Sequence, residues 1–229
     1  MKIDMNQVGA VRAYVQRAVI NIGQGLCEFI DNSLSAGASV IKIEFLNGIL
    51  EISDNGCGTL NPEFILTPFK SYGMDATSKY GVGAACSVIV LSDWGECVAT
   101  SSTGDGNSKT CIMNWGSYKS KVEGDIELTR VTSIRDSSSP GTLVSLEFPK
   151  IVPNDRHDRN KKDIAFRYST ALRNGVQIHY NVKGRTEALQ PWNPPELSKK
   201  EKQVINHPQF GRIELLCGIV KAGHKNEHP

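Results

Sequence analysis

Apolar residues near the start of the chain keep a helical rhythm. Val15, Ile20, Ile22, Leu26, Phe29, Ile30 and Leu34 fit spacings of three and four rather than alternation. The pattern predicts two helices between Val11 and Leu34, with Gly23 and Gly25 marking the break and Gly37 ending the second. Two strand-like runs follow, Val40 to Leu46 and Ile49 to Ser53, joined by Asn47-Gly48, the strongest short signal for a two-residue hairpin. Asp54 then falls at a strand end. Residues 61 to 79 combine a short helix at Pro62 to Leu66 with turn formers, a composition that predicts mobility. Ala84 to Leu91 is apolar enough for a buried helix. Glu96 to Ser101, Thr110 to Trp115, Ile126 to Ile134 and Thr142 to Phe148 alternate like antiparallel strands. This order predicts an α+β two-layer sandwich, a mixed, mainly antiparallel sheet with helices on one face.

The later part of the chain is less regular. Ile151 to Lys162 is charged and reads as a solvated connection before a helix at Asp163 to Arg173, which Asn174-Gly175 closes. Val176 to Val182 and Glu187 to Leu189 read as short strands, and Pro191 to Pro195 interrupts regular structure. Arg212 to Val220 reads as a strand short of partners, which suggests a second domain beginning there. The expected organisation is a main domain over 1–150, with residues 151–229 holding its end and the start of a second domain.

Composition narrows the classes. Lys and Arg number 26 against 24 Asp and Glu, so net charge gives no footprint for nucleic acid. The six cysteines form no C-x-x-C pair, which favours reduced thiols and an intracellular setting. No apolar run approaches the roughly 18 residues of a membrane span. The expected location is cytoplasmic, nucleoid or nuclear.

Three short motifs carry chemistry. Glu28 and Asn32 are four residues apart, so on a helix they share one face. One suits a proton acceptor for water, the other an amide ligand to Mg²⁺; the competing reading is two solvent-facing helix residues. Asp54-Asn55-Gly56-Cys57-Gly58 offers a carboxylate to an exocyclic amine such as that of adenine, with glycines that let a flat base approach the backbone. The same residues equally suit an Asx turn. Tyr80-Gly81-Val82-Gly83-Ala84 opens an apolar helix and could present backbone N–H groups to phosphate, with Ser78 and Lys79 adding a hydroxyl and a charge. It is neither a Walker A loop nor a dinucleotide fingerprint.

Taken in order, Glu28 to Ala38, Asp54 to Gly58, Gly81 to Ala84 and Gly141-Thr142 resemble the four-motif signature of the GHKL ATPases, the group of gyrase, heat-shock-90 chaperones, histidine kinases and MutL. The first motif is close to the MutL form and the third resembles the gyrase lid. Phe166 to Arg173, Asn174-Gly175-Val176 and Leu189 to Pro194 are similar to the region before the transducer domain of MORC-like ATPases. Ser35 and Thr59 depart from the pattern, standing where acidic and hydrophobic residues are usual, and no transducer lysine is identified. The resemblance implies a Bergerat fold holding ATP and Mg²⁺. Carried over by position, Glu28 is the general base and Asn32 the Mg²⁺ ligand. Asp54 reads adenine beside Gly56 and Gly58, Ala36 lines the pocket and Thr142 assists near the base. Ser78, Lys79, Tyr80, Gly81, Val82, Gly83 and Ala84 form the phosphate lid.

The resemblance further implies nucleotide-driven N-terminal homodimerisation and action on DNA or a DNA-bound protein, with no membrane partner. A chaperone-like module and a non-hydrolysing nucleotide sensor stand as alternatives. A histidine kinase fits less well, since His157, His179, His207, His224 and His228 all follow the nucleotide motifs.

Overall fold

A computed structural model describes residues 7–17, 21–67, 83–121, 124, 126, 128, 130–135, 139–150, 152–193, 197–207 and 211–220. Its elements run α1 (Gln7–Arg17), α2 (Ile22–Ser35), β1 (Val40–Leu46), β2 (Ile49–Asp54), α3 (Glu63–Leu66), α4 (Gly83–Ser92), β3 (Glu96–Thr103) and β4 (Asn107–Asn114). After a 3₁₀ turn at Trp115–Tyr118 come β5 (Arg130–Arg135), β6 (Pro140–Glu147), α5 (Asn154–Arg167), α6 (Ser169–Arg173), β7 (Gln177–Val182), β8 (Arg185–Ala188), β9 (Leu197–His207) and β10 (Gly211–Val220). Eight strands form one sheet in the order β5-β4-β3-β6-β2-β1-β7-β8. Only β1 and β7 are parallel neighbours within it; every other neighbouring pair is antiparallel. The α+β class with a mainly antiparallel sheet is therefore the observed one.

The hairpin between β1 and β2 forms as its turn dictates. Asn47 (φ 52°) and Gly48 (φ 77°) both adopt the left-handed region that a two-residue type I′ turn requires. The register that follows pairs Leu46 with Ile49 and Ile43 with Ile52. Ile41, Ile43 and Phe45 thereby point to the buried face and Lys42 to solvent. The same face continues through Leu146 of β6 and Met113 of β4, and the helices cover it. Burying each such side chain contributes about 1.5 to 3 kcal/mol.

α4 is apolar on all sides because it is covered on all sides. It packs against α1, α2 and α3 as well as β3 and β6.

Three expectations change. Asn21 caps the start of α2, so Gly23 and Gly25 lie inside that helix and do not mark a break. Asn21 and Gln24 form a reciprocal capping box that starts α2. The two glycines lie inside α2 for packing: a Cβ on Gly25 would stand 3.1 Å from Leu91 of α4, and one on Gly23 3.2 Å from Asn160 of α5. Second, the charged run beginning at Ile151 is mostly helix. α5 starts at Asn154 and turns His157, Asn160 and Ile164 inward while its charges stay in water. Third, the last strand has a partner, since β9 and β10 form a separate antiparallel pair. Among the described residues no helix is long and apolar enough to cross a membrane.

Candidate nucleotide site

α2 carries the first motif along one side. Glu28 is half-buried and Asn32 exposed. Glu28 reaches Gly83, the first described residue of α4, so closely that a Cβ there would collide with Oε2 of Glu28. Burial raises the proton affinity of Glu28 above the usual carboxylate range; the charge of Asp31 adds to this and Arg167 opposes it. A half-buried carboxylate of raised pKa is suited to exchanging a proton with water. Ala84 follows, partly buried on the core.

The second motif folds as a turn pinned between α2 and the sheet. Asp54 ends β2, and its two carboxylate oxygens accept from different donors. Ser33 Oγ donates to Oδ2 at 2.8 Å and the Gly56 amide to Oδ1 at 2.9 Å. The Asx turn is thus present, and it orients the carboxylate without exhausting it, because each oxygen retains a further lone pair. Asn55 accepts from the amides of Ser39 (2.9 Å) and Val40 (2.8 Å), tying the turn to the start of β1.

Close approach explains the glycines. A Cβ on Gly56 would stand 2.9 Å from both Cβ and O of Ala36, whose carbonyl also accepts from the Cys57 amide at 2.9 Å. Gly58 has φ +65°, and a Cβ there would collide with the Ser102 carbonyl oxygen.

β6 completes this corner. Thr142 is the register partner of Asp54 on β2 and of Ser101 on β3. Ser101 Oγ accepts from the Thr59 amide (2.8 Å), donates toward the Gly141 carbonyl (3.1 Å) and lies 3.0 Å from Thr142 Oγ1. Buried in the sheet, it joins the turn after Gly58 to the beginning of β6.

The structure therefore gathers Ala36, Asp54, Gly56, Gly58 and Thr142 at one end of α2 and places Glu28 beside Gly83 and Ala84 nearer its middle. Glu28 and Ala36 are eight residues apart, about 12 Å along the helix axis. Ser78, Lys79, Tyr80, Gly81 and Val82 lie outside the described residues.

Sequence reasoning missed Ser33, Ser101, Arg167 and Tyr168. Ser33 follows Asn32 directly and is 4% exposed on a helix whose other buried positions are apolar or glycine, apart from Cys27. Ser101 continues the inward series Cys97, Ala99, where a hydroxyl needs a polar partner. Arg167 and Tyr168 reach Asp31 from 136 and 137 positions away, with no local signal.

The residues present fit a nucleotide and its ion by their chemistry. The glycine turn packs Gly56 against Ala36 and Gly58 against the Ser102 carbonyl, and Asp54 is an oriented acceptor. Among the described residues no group of three or more His, Cys, Asp or Glu could hold a metal by itself. A magnesium ion with few protein ligands, completed by phosphate oxygens and water, suits the single amide of Asn32.

In fold, the chain is similar to a solved structure described as the N terminal domain of a DNA repair protein, with 14% identity, a TM-score of 0.57, and coverage of 90% of this chain and 70% of that one. It is also similar to the Aquifex aeolicus MutL ATPase domain complexed with ADP, at 14% identity and a TM-score of 0.49, covering 82% of this chain and 73% of that one. No curated protein matches it in sequence. Residues 20–142, more than half the chain, match the family model of the histidine kinase-, DNA gyrase B-, and HSP90-like ATPases, and the chain belongs to that family.

Proposed function

We propose that this chain binds ATP with Mg²⁺ and hydrolyses it, with Glu28 as general base. The observation that carries the reading is the half-buried Glu28 carboxylate of raised proton affinity against the backbone of Gly83. When bound, Mg²⁺-ATP supplies the phosphoryl group for transfer to water and the ion that neutralises its charge. Asn32 would hold the ion through its amide oxygen. Asp54 would accept from the adenine amine, with Ala36, Gly56, Gly58 and Thr142 enclosing the base. Gly83 and Ala84, with Ser78, Lys79, Tyr80, Gly81 and Val82 preceding them, would face the phosphates. Glu28 orients a water molecule through its carboxylate oxygen and takes its proton there.

Calorimetric titration with a non-hydrolysable ATP analogue, with and without Mg²⁺, tests binding, and phosphate release tests turnover. Mg²⁺-dependent binding that Asp54→Asn weakens, with turnover that Glu28→Gln abolishes, is the expected pair of results. Absence of analogue binding would defeat the proposal.

The further steps are N-terminal homodimerisation on ATP binding and action on DNA or a DNA-bound protein. Their support is the fold shared with the N terminal domain of a DNA repair protein. Sedimentation with and without the analogue tests the first step, and salt-dependent retention of DNA by the analogue-bound chain tests the second. The free thiols Cys27, Cys57, Cys86, Cys97 and Cys111 support an intracellular setting.

A further inference from the structure

The turn of α2 that carries Glu28 is gripped from outside by two consecutive residues where α5 meets α6. The Tyr168 hydroxyl lies 2.9 Å from the Cys27 carbonyl oxygen and 2.8 Å from Oδ1 of Asp31. Arg167 brings Nη2 to 2.7 Å from Oδ2 of the same carboxylate. Cys27 and Asp31 are separated by one helical turn and bracket Glu28. The grip therefore holds the carbonyl just before Glu28 and the side chain three residues after it.

The two halves of this clamp are unequal. One hydroxyl proton is shared between two acceptors, and the charged one takes the stronger share. Tyr168 is 6% exposed, so its hydroxyl has little water to turn to if the contact is lost. The Arg167 and Asp31 side chains are 51% and 39% exposed, and water screens their ion pair. Tyr168 is the stronger restraint, while Arg167 fixes which way the Asp31 carboxylate faces.

We propose that Tyr168, assisted by Arg167, is a positioning residue for Glu28, setting the rotation of α2 so that the Glu28 carboxylate stays against Gly83. The inference rests on the reading of Glu28 as general base. It places a determinant of turnover outside residues 20–142, the stretch that matches the family model. A small rotation of α2 moves the carboxylate laterally, and displacement of a catalytic group by about 1 Å can cost up to 100-fold in rate.

The test compares the unaltered chain with Tyr168→Phe, Arg167→Met, Arg167→Lys and Glu28→Gln. Its readouts are amide hydrogen exchange without nucleotide, thermal melting, and kcat and KM for ATP. In Tyr168→Phe, exchange of the α2 amides over residues 27–32 should quicken about tenfold while the β1–β2 hairpin is unchanged. Its kcat should fall about tenfold, with KM altered less than twofold. Arg167→Met, which leaves the buried hydroxyl in place, should lose about two- to threefold in kcat, and Arg167→Lys should recover most of that. Unchanged α2 exchange in Tyr168→Phe, or a KM that rises in step with the loss of kcat, would overturn the proposal. Normal turnover by Glu28→Gln would overturn the general-base reading and the positioning role with it. Loss of turnover in Glu28→Gln beside an unchanged kcat in Tyr168→Phe would overturn the clamp alone. If Tyr168→Phe does not fold, unchanged kcat and α2 exchange in Arg167→Met would overturn it.

Discussion

Gly83 and Glu28 are packed so closely that a single methyl group on the glycine would displace the carboxylate. The neighbouring atoms are the far end of a flexible side chain, so the glutamate can move aside without unfolding the chain. Gly83→Ala should therefore leave stability unchanged or raise it, since alanine favours a helix over glycine by up to about 1 kcal/mol. It should lower kcat at least tenfold by moving the proton acceptor. Thermal melting and phosphate release on the same preparation check both halves, and unaltered turnover would show that the Glu28 carboxylate can act from another position.

Removing the charge at Glu28 separates stability from activity. Its proton affinity in the folded chain is raised above the ordinary value of 4.5, mainly by burial and secondly by Asp31, with Arg167 opposing. A raised folded pKa contributes stability that is fully present below the unfolded pKa and is lost as pH rises through the folded pKa. At pH 8 the folded chain therefore carries an unfavourable ionised carboxylate. Glu28→Gln should melt higher than the parent at pH 8, and the difference should shrink as pH falls toward 4.5. Turnover should drop by about 100-fold or more, while analogue affinity changes little. Paired melts across that pH range, with calorimetry, provide the check.

Local signals in the sequence account for much of the fold and less of the site. Asn47-Gly48 dictates its own turn, and α4 is apolar on every side, so both are legible without knowledge of the rest of the chain. The start of α2 was obscured because Gly23 and Gly25 suggest a break, whereas they are helical positions kept small by Asn160 and Leu91. The Asn21 to Gln24 spacing held the better signal. α5 buries only His157, Asn160 and Ile164, two of them polar, so its inward face barely registers against the charges around it. Asp54 and Glu28 stand out as candidates from motif and spacing. The contacts around them are not legible locally, because Ser33 meets Asp54 across 21 positions, and Tyr168 meets Cys27 and Asp31, on either side of Glu28, across 141 and 137.

The second motif predicts two different kinds of failure. Asp54→Asn keeps the shape but exchanges one acceptor for an amide donor. With its oxygen kept toward the Gly56 amide, the new amide nitrogen donates to the Ser33 hydroxyl oxygen, so both local contacts survive while the negative charge is lost. Loss of the charged acceptor for adenine should weaken analogue binding by about 10- to 100-fold, about 1.5 to 3 kcal/mol. Gly58→Ala instead attacks the backbone. The residue has φ +65°, and the obstructing atom is the Ser102 carbonyl oxygen, which cannot swing away as a side chain can. Destabilisation of about 4 kcal/mol or more is expected, with poor recovery of folded protein. Denaturant unfolding checks the alanine variant and calorimetry the asparagine variant.

Acid sensitivity should arise at His157, far from the proposed chemistry. Its ring lies against Phe45 at 4.8 Å between centroids, and Nδ1 is 3.0 Å from the Tyr180 hydroxyl. Burial lowers its pKa below the ordinary 6.5, and the charges of Lys161 and Lys183 act in the same direction while Asp158 opposes them. The folded chain therefore prefers the neutral ring. A depressed folded pKa means that stability is fully present above the unfolded value and is lost as pH falls through the folded one. Unfolding free energy should decline once pH drops below 6.5, with a slope of at most about 1.4 kcal/mol per pH unit for one proton. His157→Gln removes the titrating group but leaves a polar side chain beside Tyr180. It should be less stable at pH 8, because the aromatic contacts with Phe45 and Tyr180 are lost. Its dependence between pH 5 and pH 7 should be flatter than that of the unaltered chain. Urea unfolding curves at intervals across that range decide the matter, and parallel curves for the two proteins would assign the acid response to a different group.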